Sequence, residues 1–588
     1  MYRSRISLAT LFVALLFLLP TVARAAEGDL DPSFGTGGKV STPIPPGAEA
    51  NAVTVDHQGR VVAAGWSGSY PNFSIAVARY TPNGQLDSTF NGTGTVVTPV
   101  GGTFSQAWAV ATDSQDRVLV GGTDGNNFVI ARYTQQGTLD PSFGTGGITT
   151  TNIGSSAYIL SMAVDPQGRI VVGGYANTGA VSALARYTDN GQLDPNFGTG
   201  GKVLTPMGPS GMSQFSSIAI DPQGRIVAAG YAYNGSNIGL ALARYTDKGA
   251  LDSSFGAGGK VLPTPVTVDD TGTSVALDPQ GRIVVAGHSG PFPQEDWAIW
   301  RFTDSGGPDT SFNGSGRATV SLSSGTDVAN AVAIDAEGRI LEGGSAYNGS
   351  DDDFALVRWT PAGALDPSFG NGGKVLTDFG PSSIDDAFAM VLDPRQRPVL
   401  AGYSGGGFAL ARYVDDLVPP VVTITSGPAE NSLTNNRRPT FGFTVNDPTA
   451  TTGCAFDLLA AVGCASPFTP GSPLADGRHT LAVGATDLAG NVGGAQRTFT
   501  VDATPPRLRI TGHSKIKTRH RRARARFRFK TNEHATFRCK LDRHKTKRCR
   551  SRYRTPNLKR GRHKLTVVAT DRAGNHTRKV KKFRIVHR

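Results

Sequence analysis

Histidine and cysteine are scarce in this chain of 588 residues, which contains ten of the first and four of the second. All four cysteines lie after residue 450, and only His57 and His288 occur between residues 26 and 416. Zinc sites need closely spaced thiolate and imidazole ligands, so this composition disfavours one in that region. No Ser/His/Asp order and no glycine-rich phosphate loop stand out either. We therefore expect no cofactor, no metal and no catalytic residue.

Long apolar runs are missing after the N-terminus. At the N-terminus itself, Arg3 and Arg5 precede an apolar run from Ile6 to Pro20, and Ala23-Arg24-Ala25 follows that run. This order is typical of a secretory signal peptide over residues 1–25, cleaved after Ala25. An uncleaved membrane anchor is the alternative, although the run is short for a hydrocarbon core of ~30 Å. We expect the mature chain to have no membrane span and to be secreted or associated with the cell wall.

Acidic residues are scarce at the C-terminal end. Residues 505–588 contain 31 Lys and Arg against three acids, a net charge of +28. The whole chain carries +13, so the 28 basic and 43 acidic residues before that segment leave −15. The sequence therefore predicts an acidic body with a strongly basic end.

Three short phrases recur along residues 30–413. The phrase DPQGRIVVAG at residues 278–287 has relatives that begin at Asp56, Asp113, Asp165, Asp221, Asp335 and Asp393, at spacings of 52 to 58 residues. An Asp-Pro-Gln-Gly turn before a β-branched run indicates a tight turn and a buried strand. The phrases LDPSFGTGGKV, first seen at Leu30–Val40, and ARY, first seen at 78–80, recur in step with it.

Each unit supplies four short strands, which is typical of a β-propeller blade. The sequence therefore predicts an all-β chain in which residues 26–416 form a seven-bladed β-propeller. The mature chain begins with a strand of the fourth type, Gly38–Thr42, and its repeats end with the third type at Arg412-Tyr413. We expect the N-terminal strand to complete the last blade and close the ring.

The three phrases resemble the delta-60 repeat family of bacterial exported proteins over residues 30–413. The resemblance implies a β-propeller, and that family lends no established activity and no catalytic residue. The Arg of ARY and the Asp and Phe of LDPSF occur in every unit, whereas a catalytic site is made once. We interpret them as structural, with Arg–Asp pairs between neighbouring turns and Phe beneath.

The variable segments join the second strand to the third and the fourth to the next first strand, and they lack Lys and Arg. Binding residues usually lie on such loops, and aromatic faces beside carboxylates suit glycans or cationic peptides. The alternative is that these aromatics cap blade edges and the acids are solvated. The candidate ligand-binding residues are Trp66, Tyr70, Trp108, Tyr175, Tyr231, Tyr233, Phe292, Glu295, Asp296 and Asp351.

Two groups of acidic residues are candidates for metal binding or catalysis. Asp351-Asp352-Asp353 offers oxygen ligands for Ca²⁺, but the spacing lacks a recognised loop pattern and favours a solvated loop. Glu295 and Asp296 are conceivable paired acids of a glycosidase, but adjacent carboxylates on an extended segment tend to point apart. Neither group changes the expectation of a non-enzymatic propeller.

Two modules follow, at residues 417–503 and 504–588. Alternating strands predict a small Ig-like β-sandwich in each, and the pattern resembles the Ig-like repeats of exported bacterial surface proteins, which implies adhesion or spacing. The pairs Cys454/Cys464 and Cys539/Cys549 predict one disulfide per module. The segments ATDLAGN (485–491) and ATDRAGN (569–575) are interpreted as hairpin turns rather than ion sites.

The last module contains the run RHRRARARFRFK at residues 519–530, in which Arg alternates with Ala or Phe. One face of such a strand is wholly cationic, so we expect it to bind an anionic cell-wall polymer or another polyanion, without sequence-specific recognition of nucleic acid. A solubilising surface is the alternative. The candidate polyanion-binding residues are Arg519, Arg521, Arg522, Arg524, Arg526, Arg528 and Lys530.

These observations together predict an exported, non-enzymatic binding or adhesion protein. In it, the loop face of the propeller recognises a ligand, such as a glycan, and the basic module attaches to an anionic surface. The alternative is an extracellular hydrolase or lyase with its site on the same loop face. Carboxylates clustered around the mouth of the central channel favour the enzyme, and acids scattered between aromatic platforms favour binding.

Overall fold

The computed structural model describes residues 26–588 except 103, 179–180, 209–210, 263–268, 292–293, 381–382, 416–417, 448–449, 458 and 488–490. The predicted signal peptide lies outside the described residues. The described chain forms two compact units, one that ends at Asp415 and one that begins at Val418. Within these residues no helix is long and apolar enough to cross a membrane.

The first unit consists of seven four-stranded antiparallel sheets. Its strands are β1 (Lys39–Pro43), β2 (Ala48–Val55), β3 (Val61–Ser69), β4 (Asn72–Tyr80), β5 (Thr95–Thr98), β6 (Gln106–Thr112), β7 (Val118–Thr123), β8 (Phe128–Tyr133), β9 (Ile148–Thr151), β10 (Tyr158–Val164), β11 (Ile170–Ala176), β12 (Val181–Tyr187), β13 (Lys202–Thr205), β14 (Ser213–Ile220), β15 (Ile226–Tyr233), β16 (Ile238–Tyr245), β17 (Lys260–Val261), β18 (Asp270–Leu277), β19 (Ile283–Ser289), β20 (Asp296–Phe302), β21 (Arg317–Val320), β22 (Asp327–Ile334), β23 (Ile340–Tyr347), β24 (Asp352–Trp359), β25 (Lys374–Thr377), β26 (Asp385–Leu392), β27 (Pro398–Ser404) and β28 (Gly407–Arg412). Sheets 1 to 6 each take four consecutive strands from β2 onward, and sheet 7 has the order β26-β27-β28-β1.

The sheets close into a ring around their first strands. The first strand of each sheet contacts the first strand of the next, and β26 of sheet 7 contacts β2 of sheet 1. The N-terminal strand β1 pairs antiparallel with β28, and its register places Lys39 opposite Ala411 and Thr42 opposite Phe408. The predicted strand exchange at the closure is therefore confirmed.

The repeated DPQGR-type phrase forms the turn between the first and second strands of each sheet. In sheet 5, Asp278 Oδ1 accepts hydrogen bonds from the backbone N–H groups of Gln280 and Arg282 at 3.0 and 2.8 Å. Arg282 donates from Nε back to the other oxygen of the same carboxylate. Gly281 has a φ of 76°, which an L side chain adopts only with strain. The predicted tight turn is thus confirmed, and it leads each second strand into the core.

The Arg of each ARY phrase links its own sheet to the next one around the ring. Arg244 donates from Nε to Asp252 Oδ2 at 2.8 Å, and its guanidinium lies 4.8 Å from the centre of the Phe255 ring. A second nitrogen donates to the backbone carbonyl of Asp304 in the turn of the next sheet. The Asp of the LDPSF phrase lies in the same unit as the Arg, because the turn folds back beneath it. Arg244 also pairs with the Asp304 carboxylate at 2.8 Å, so the predicted pairing between neighbouring turns occurs here as well.

The same arrangement occurs at all seven sheets, and we call it the arginine ring. Its members, with their Asp partners, are Arg79–Asp87, Arg132–Asp140, Arg186–Asp194, Arg244–Asp252, Arg301–Asp309, Arg358–Asp366 and Arg412–Asp31. Their carbonyl acceptors in the next sheet's turn are Gln135, Asp189, Asp247, Asp304, Pro361, Asp415 and Pro82. At the closure, Asp31 and Phe34 from the N-terminal segment complete the site of Arg412, so the last link matches the other six.

The second unit consists of two β-sandwiches. Its strands are β29 (Val422–Ile424), β30 (Ser432–Thr434), β31 (Phe443–Val445), β32 (Thr451–Phe456), β33 (Val462–Gly463), β34 (Gly477–Thr486), β35 (Val492–Val501), β36 (Arg509–Thr511), β37 (Lys515–Thr518), β38 (Arg522–Ala523), β39 (Arg526–Lys530), β40 (Thr536–Leu541), β41 (Lys547–Cys549), β42 (Arg552–Arg554), β43 (Leu558–Lys559), β44 (Gly561–Thr570) and β45 (His576–His587). The five-stranded sheets β30-β35-β34-β32-β33 and β37-β45-β44-β40-β41 have the same strand order. The predicted disulfides Cys454–Cys464 and Cys539–Cys549 are both present, with Cα–Cα distances of 5.7 and 5.9 Å.

Candidate functional site

The loop face of the propeller carries a ring of side chains, which we call the mouth ring; most are half-buried, and Gln106, Thr123 and Ser345 are buried. It is built from one cross-strand pair per sheet, near the start of the first strand and the end of the second. The pairs are Glu49–Trp66, Gln106–Thr123, Tyr158–Tyr175, Gln214–Tyr231, Thr271–His288, Val328–Ser345 and Asp386–Tyr403. All of these positions are described, and none of them is Lys or Arg.

A central cavity of about 380 Å³ lies along the first strands, and Gln214 of the mouth ring is among its lining residues. Each first strand has a β-bulge two residues after its mouth-ring position, as between Ala50 and Ala52. The bulged residues, which include Asn51 and Trp108, point into the cavity. The indole nitrogen of Trp108 is buried there without a hydrogen-bond partner among the described atoms. The cavity therefore has a mixed lining, in which Ser216, Thr273 and Asn330 lie beside Leu160 and Phe388, and it holds a spare donor at Trp108.

Two carboxylates of the mouth ring interact. Burial, together with the charge of Asp386, raises the pKa of Glu49 to about 7, although a hydrogen bond from Trp66 acts in the opposite sense. Burial also raises the pKa of Asp386, and Asp385 adds to the effect. Near neutral pH, Glu49 is thus able to hold or release a proton beside a second carboxylate.

Aromatic side chains group on two sides of the mouth ring. In sheet 1, Trp66 lies 4.6 Å from Phe73, centre to centre, and Phe73 lies 5.3 Å from Phe104. In sheet 3, Tyr158 and Tyr175 stack at 5.1 Å with their planes 17° apart. Burial raises the pKa of Tyr175 to about 12, and the nearby Tyr158 and Tyr231 contribute. These faces provide flat apolar platforms beside amides and carboxylates.

The candidates assigned to loops lie mostly on strands. Trp66, Trp108, Tyr175, Tyr231, Tyr233 and Asp296 belong to strands β3, β6, β11, β15, β15 and β20, because the first and second strands extend beyond the repeated phrases. Tyr70 lies in the turn between β3 and β4 and is 83% exposed, Glu295 and Asp351 immediately precede strands, and Phe292 lies outside the described residues. Only Trp66, Tyr175 and Tyr231 of the predicted set belong to the mouth ring.

Glu295 and Asp296 do not form an isolated acid pair. Glu295 Oε1 lies 3.8 Å from His288 Nε2, and Asp296 is paired with Ser289 at the start of β20. Burial lowers the pKa of His288, which the charge of Glu295 partly opposes. Sequence reasoning missed Glu49, because the β-bulge two residues later and the contact with Asp386 are visible only in the structure.

The predicted cationic strand of the last module has the expected alternation. In β39, Arg526, Arg528 and Lys530 are exposed, while Phe527 and Phe529 are buried. The other predicted polyanion-binding residues, Arg519, Arg521, Arg522 and Arg524, are exposed as well. The buried rings pack in the core of the sandwich, so Arg526, Arg528 and Lys530 share the outer face of β39. The predicted single strand over residues 519–530 is wrong, because Arg522 lies in the separate strand β38 and Arg519, Arg521 and Arg524 lie outside both strands.

Cations on this face lie directly opposite other cations. Arg526 is opposite Arg554 and Arg528 is opposite Arg552 across β39 and β42, and Lys530 is opposite Arg509 across β39 and β36. We call these six residues the cationic face. Like charges at directly opposed positions destabilise a sheet. The fold itself therefore gains nothing from this arrangement.

The few acids of the last module lie elsewhere. Glu533 and Asp571 form a carboxylate cluster with Asp502, in which one oxygen from each lies within 4.8 Å of the others. Asp542 accepts a hydrogen bond from His563 at 2.8 Å. The carboxylates of the described module thus leave the cationic face without internal neutralisation. The segment at 569–575 connects the antiparallel strands β44 and β45, so the predicted hairpin is present there. Strands β34 and β35 are likewise antiparallel, but residues 488–490 of the other segment lie outside the described residues.

The ring of four-stranded sheets defines a β-propeller, and the family comparison agrees. Residues 59–90, 116–143, 166–197, 222–255, 279–312 and 336–369 match the family described as "Domain of unknown function (DUF5122) beta-propeller". Residues 421–503 match the family described as "Bacterial Ig-like domain". The chain therefore carries repeats of this propeller family followed by a bacterial Ig-like domain, as the sequence predicts. This combination indicates a surface or binding protein.

Solved structures with similar folds differ widely from this chain in sequence. Sqt1 from Chaetomium thermophilum is 12% identical, with 64% of this chain and 99% of that chain covered and a TM-score of 0.35. The extracellular domain of BT3049 from B. thetaiotaomicron is 11% identical, with 76% and 67% covered and a TM-score of 0.26. The fibronectin(III)-like modules of Clostridium thermocellum CbhA are 17% identical, with 28% and 94% covered and a TM-score of 0.20. No curated protein matches this sequence.

Proposed function

We propose that this is an exported, non-enzymatic binding protein that attaches to an anionic cell-wall polymer through its basic C-terminal module. Its propeller recognises a second ligand, a glycan, at the mouth ring. The N-terminal pattern of a signal peptide and two disulfides support an oxidising, extracellular location. The cationic face is the observation that carries the attachment role.

The cationic face stores electrostatic repulsion that a polyanion relieves. Three opposed pairs of cations lie at adjacent positions of one small sheet. At a separation of about 5 Å, two unit charges in water repel by roughly 0.8 kcal/mol. Solubility alone does not require this repulsion, because a surface on which acids and bases alternate is also soluble. A polymer with regular negative charges instead turns each pair into two favourable contacts.

The attachment role is tested by retention of the full-length protein on immobilised teichoic acid between 50 and about 500 mM salt. The variant Arg526→Gln/Arg528→Gln/Lys530→Gln should elute at markedly lower salt than the parent, because the many weak contacts are screened and counterions are released. The control Arg478→Gln removes an exposed cation from the preceding module and should elute close to the parent. Equal elution of the triple variant and the parent would refute attachment through the cationic face.

Glycan recognition rests on the composition of the mouth ring. Aromatic platforms bind the apolar faces of sugar rings. The half-buried amide of Gln214 can donate or accept hydrogen bonds at the sugar hydroxyls, and the carboxylates can accept them. A glycan array probed with the full-length protein tests this role. Tyr231→Ala should weaken binding at least ten-fold, whereas Tyr347→Ala, which removes an exposed aromatic outside the mouth ring, should not. The absence of any glycan signal, or equal signals from both variants, contradicts the assignment.

An extracellular hydrolase or lyase is the second candidate function, and the interaction of Glu49 with Asp386 favours it. A carboxylic acid whose pKa is near 7, beside a second carboxylate, has the properties of a general acid paired with a base. For any glycan that binds, product analysis by mass spectrometry distinguishes the roles. If the parent turns the glycan over, and Glu49→Gln and Asp386→Asn abolish turnover but keep binding, the protein is an enzyme. If the parent binds the glycan without turnover, it is a binding protein.

A further inference from the structure

Three carboxylates from two neighbouring sheets meet at the loop face of the propeller. Asp353 lies in β24 of sheet 6, Asp378 directly follows β25, and Asp385 opens β26 of sheet 7. One oxygen from each of the three lies within 4.8 Å of the other two. We call them the acid triad. Its members are separated along the chain, so only the packing of sheet 7 against sheet 6 brings them together.

The acid triad contains a buried carboxylate that the protein leaves incompletely bonded. Asp353 is 5% exposed, and its Oδ1 has no hydrogen-bond partner among the described atoms. Burial of a polar atom without a partner costs free energy, more so when the group is ionised. Burial raises the pKa of Asp353, a hydrogen bond with Asn348 acts in the opposite sense, and the charges of Asp378 and Asp385 add to the increase.

The other two members have partners that hold their oxygens in place. Asp385 accepts from the backbone N–H of Phe379 at 2.7 Å and from the Ser383 hydroxyl at 2.8 Å. Asp378 accepts from the backbone N–H of Gly380 at 2.6 Å. The ammonium of Lys39 donates to the backbone carbonyl oxygen of Asp378 at 2.8 Å and not to its carboxylate. The triad is therefore preorganised while its negative charges remain together.

The propeller fold does not require a carboxylate at position 353. The equivalent residue is Ser74 in sheet 1, Val181 in sheet 3, Gly239 in sheet 4 and Gly407 in sheet 7, whereas sheet 5 has a second carboxylate there, Asp296. A carboxylate at position 385, by contrast, has a structural role. Its counterpart in sheet 6, Asp327, accepts hydrogen bonds from the backbone N–H groups of Leu322 and Ser323 and from the Ser323 hydroxyl in the preceding loop. Asp385 is thus part of the scaffold, and Asp353 is an addition that needs another explanation.

We propose that Asp353, Asp378 and Asp385 bind a Ca²⁺ ion that links sheets 6 and 7. Ca²⁺ takes six to eight oxygen ligands at about 2.3–2.6 Å in adaptable geometry, so three carboxylates with backbone oxygens and water suffice. Mg²⁺ demands a near-ideal octahedron and keeps more of its water, which fits a partly buried triad less well. The site adjoins the mouth ring through Asp386, but it does not depend on the ligand proposed there.

Calorimetric titration of the full-length protein with CaCl₂ tests the proposal. The parent should show a binding event that Asp353→Asn loses or weakens at least ten-fold, since the amide keeps the shape but removes the charge. Asp378→Asn, at an exposed position, should weaken the same event and provides a folded variant if Asp353→Asn is unstable. The control Asp571→Asn alters the carboxylate cluster of the last module and should leave the Asp353-dependent event unchanged. MgCl₂ should bind more weakly than CaCl₂.

Thermal unfolding provides a second readout, because all five tryptophans lie in the propeller. At a free Ca²⁺ concentration a hundred times Kd, the Tm reported by tryptophan fluorescence should rise by roughly 3 °C in the parent and not in Asp353→Asn. A parent that takes up no Ca²⁺ at millimolar concentration overturns the proposal. So does an Asp353→Asn variant whose titration and Tm shift equal those of the parent.

Discussion

Acid should unfold the propeller over a narrow range of pH, because the arginine ring contains seven carboxylates of the same kind. Burial alone raises the pKa of Asp31, but hydrogen bonds from Ser33 and the charges of Arg412 and Arg397 lower it overall. The pKa values of the six equivalent carboxylates are lowered too; these belong to Asp87, Asp140, Asp194, Asp252, Asp309 and Asp366.

The sign and size of the effect follow from proton linkage. A carboxyl whose pKa is lower in the folded state contributes stability that is complete above the unfolded value, near 3.9, and is lost as the pH falls through the folded value. Each such group changes the free energy of unfolding by at most about 1.36 kcal/mol per pH unit. Seven acting together give a slope of up to roughly 10 kcal/mol per pH unit below pH ~4. Glu49 and Glu342, whose pKa values are raised, act in the opposite direction between about pH 4 and 8 and are protonated in both states below that range.

Tryptophan fluorescence between pH 5 and 2 at low salt, with proton uptake measured in parallel, gives the number of protons bound on unfolding. We expect about five to seven for the parent. Asp31→Asn should take up about one proton fewer and lose roughly 3–5 kcal/mol at pH 7. Arg412 is 2% exposed, and without Asp31 it is left with the more distant carboxylate of Asp393, at 3.7 Å. Asp124→Asn, which changes a loop carboxylate outside the arginine ring, is the control. An uptake of two protons or fewer, or a propeller still folded at pH 2, refutes this reasoning.

Three further predictions concern stability. Burial raises the pKa of Glu342 to about 8, and Trp359 donates a hydrogen bond to it at 2.9 Å. The parent should therefore lose stability as the pH rises from 5 to 9, whereas Glu342→Gln should not. Urea unfolding at several pH values measures the difference. Gly281→Ala should lower the free energy of unfolding by about 1 kcal/mol or more, because Gly281 has a positive φ. Phe255→Ala should lower it by roughly 3–5 kcal/mol, because the ring is fully buried. If both variants melt like the parent, the turn assignment is wrong. Deletion of residues 26–42 should remove most of β1 and expose the edge of β28, so we expect aggregation or a large loss of stability; an unchanged melting transition argues against strand exchange.

The repeated chemistry could be predicted from the sequence because it is local. The Asp278 turn needs only contacts over four residues, and the Arg244–Asp252 pair spans eight. The closure could also be predicted, since the order of strand types at the two ends leaves one solution. The alternation of charged and apolar residues in the last module correctly predicts that Arg526 and Arg528 are exposed, because successive side chains of a strand point to opposite faces whatever packs around it.

The candidate sites could not be predicted in the same way, because they depend on contacts between distant sheets. Glu49 and Asp386 stand near opposite ends of the repeat region and become neighbours only where sheet 7 meets sheet 1. The β-bulge that turns Trp108 into the cavity leaves no mark in the local pattern. Trp66 and Tyr231 were expected in loops because the repeated phrase ends at a glycine, but each strand continues past it.

The strand exchange in sheet 7 has a mechanical consequence. Because β28 lies between β27 and β1, the last strand of the propeller is held on both sides rather than at an edge. Tension applied to the chain beyond Tyr413, along the axis of that strand, loads the hydrogen bonds on both sides in shear instead of opening them one at a time. Peeling the strand from its neighbours also requires Arg412 to leave Asp31. The closure that completes the ring thus also anchors the exit point of the chain against pulling.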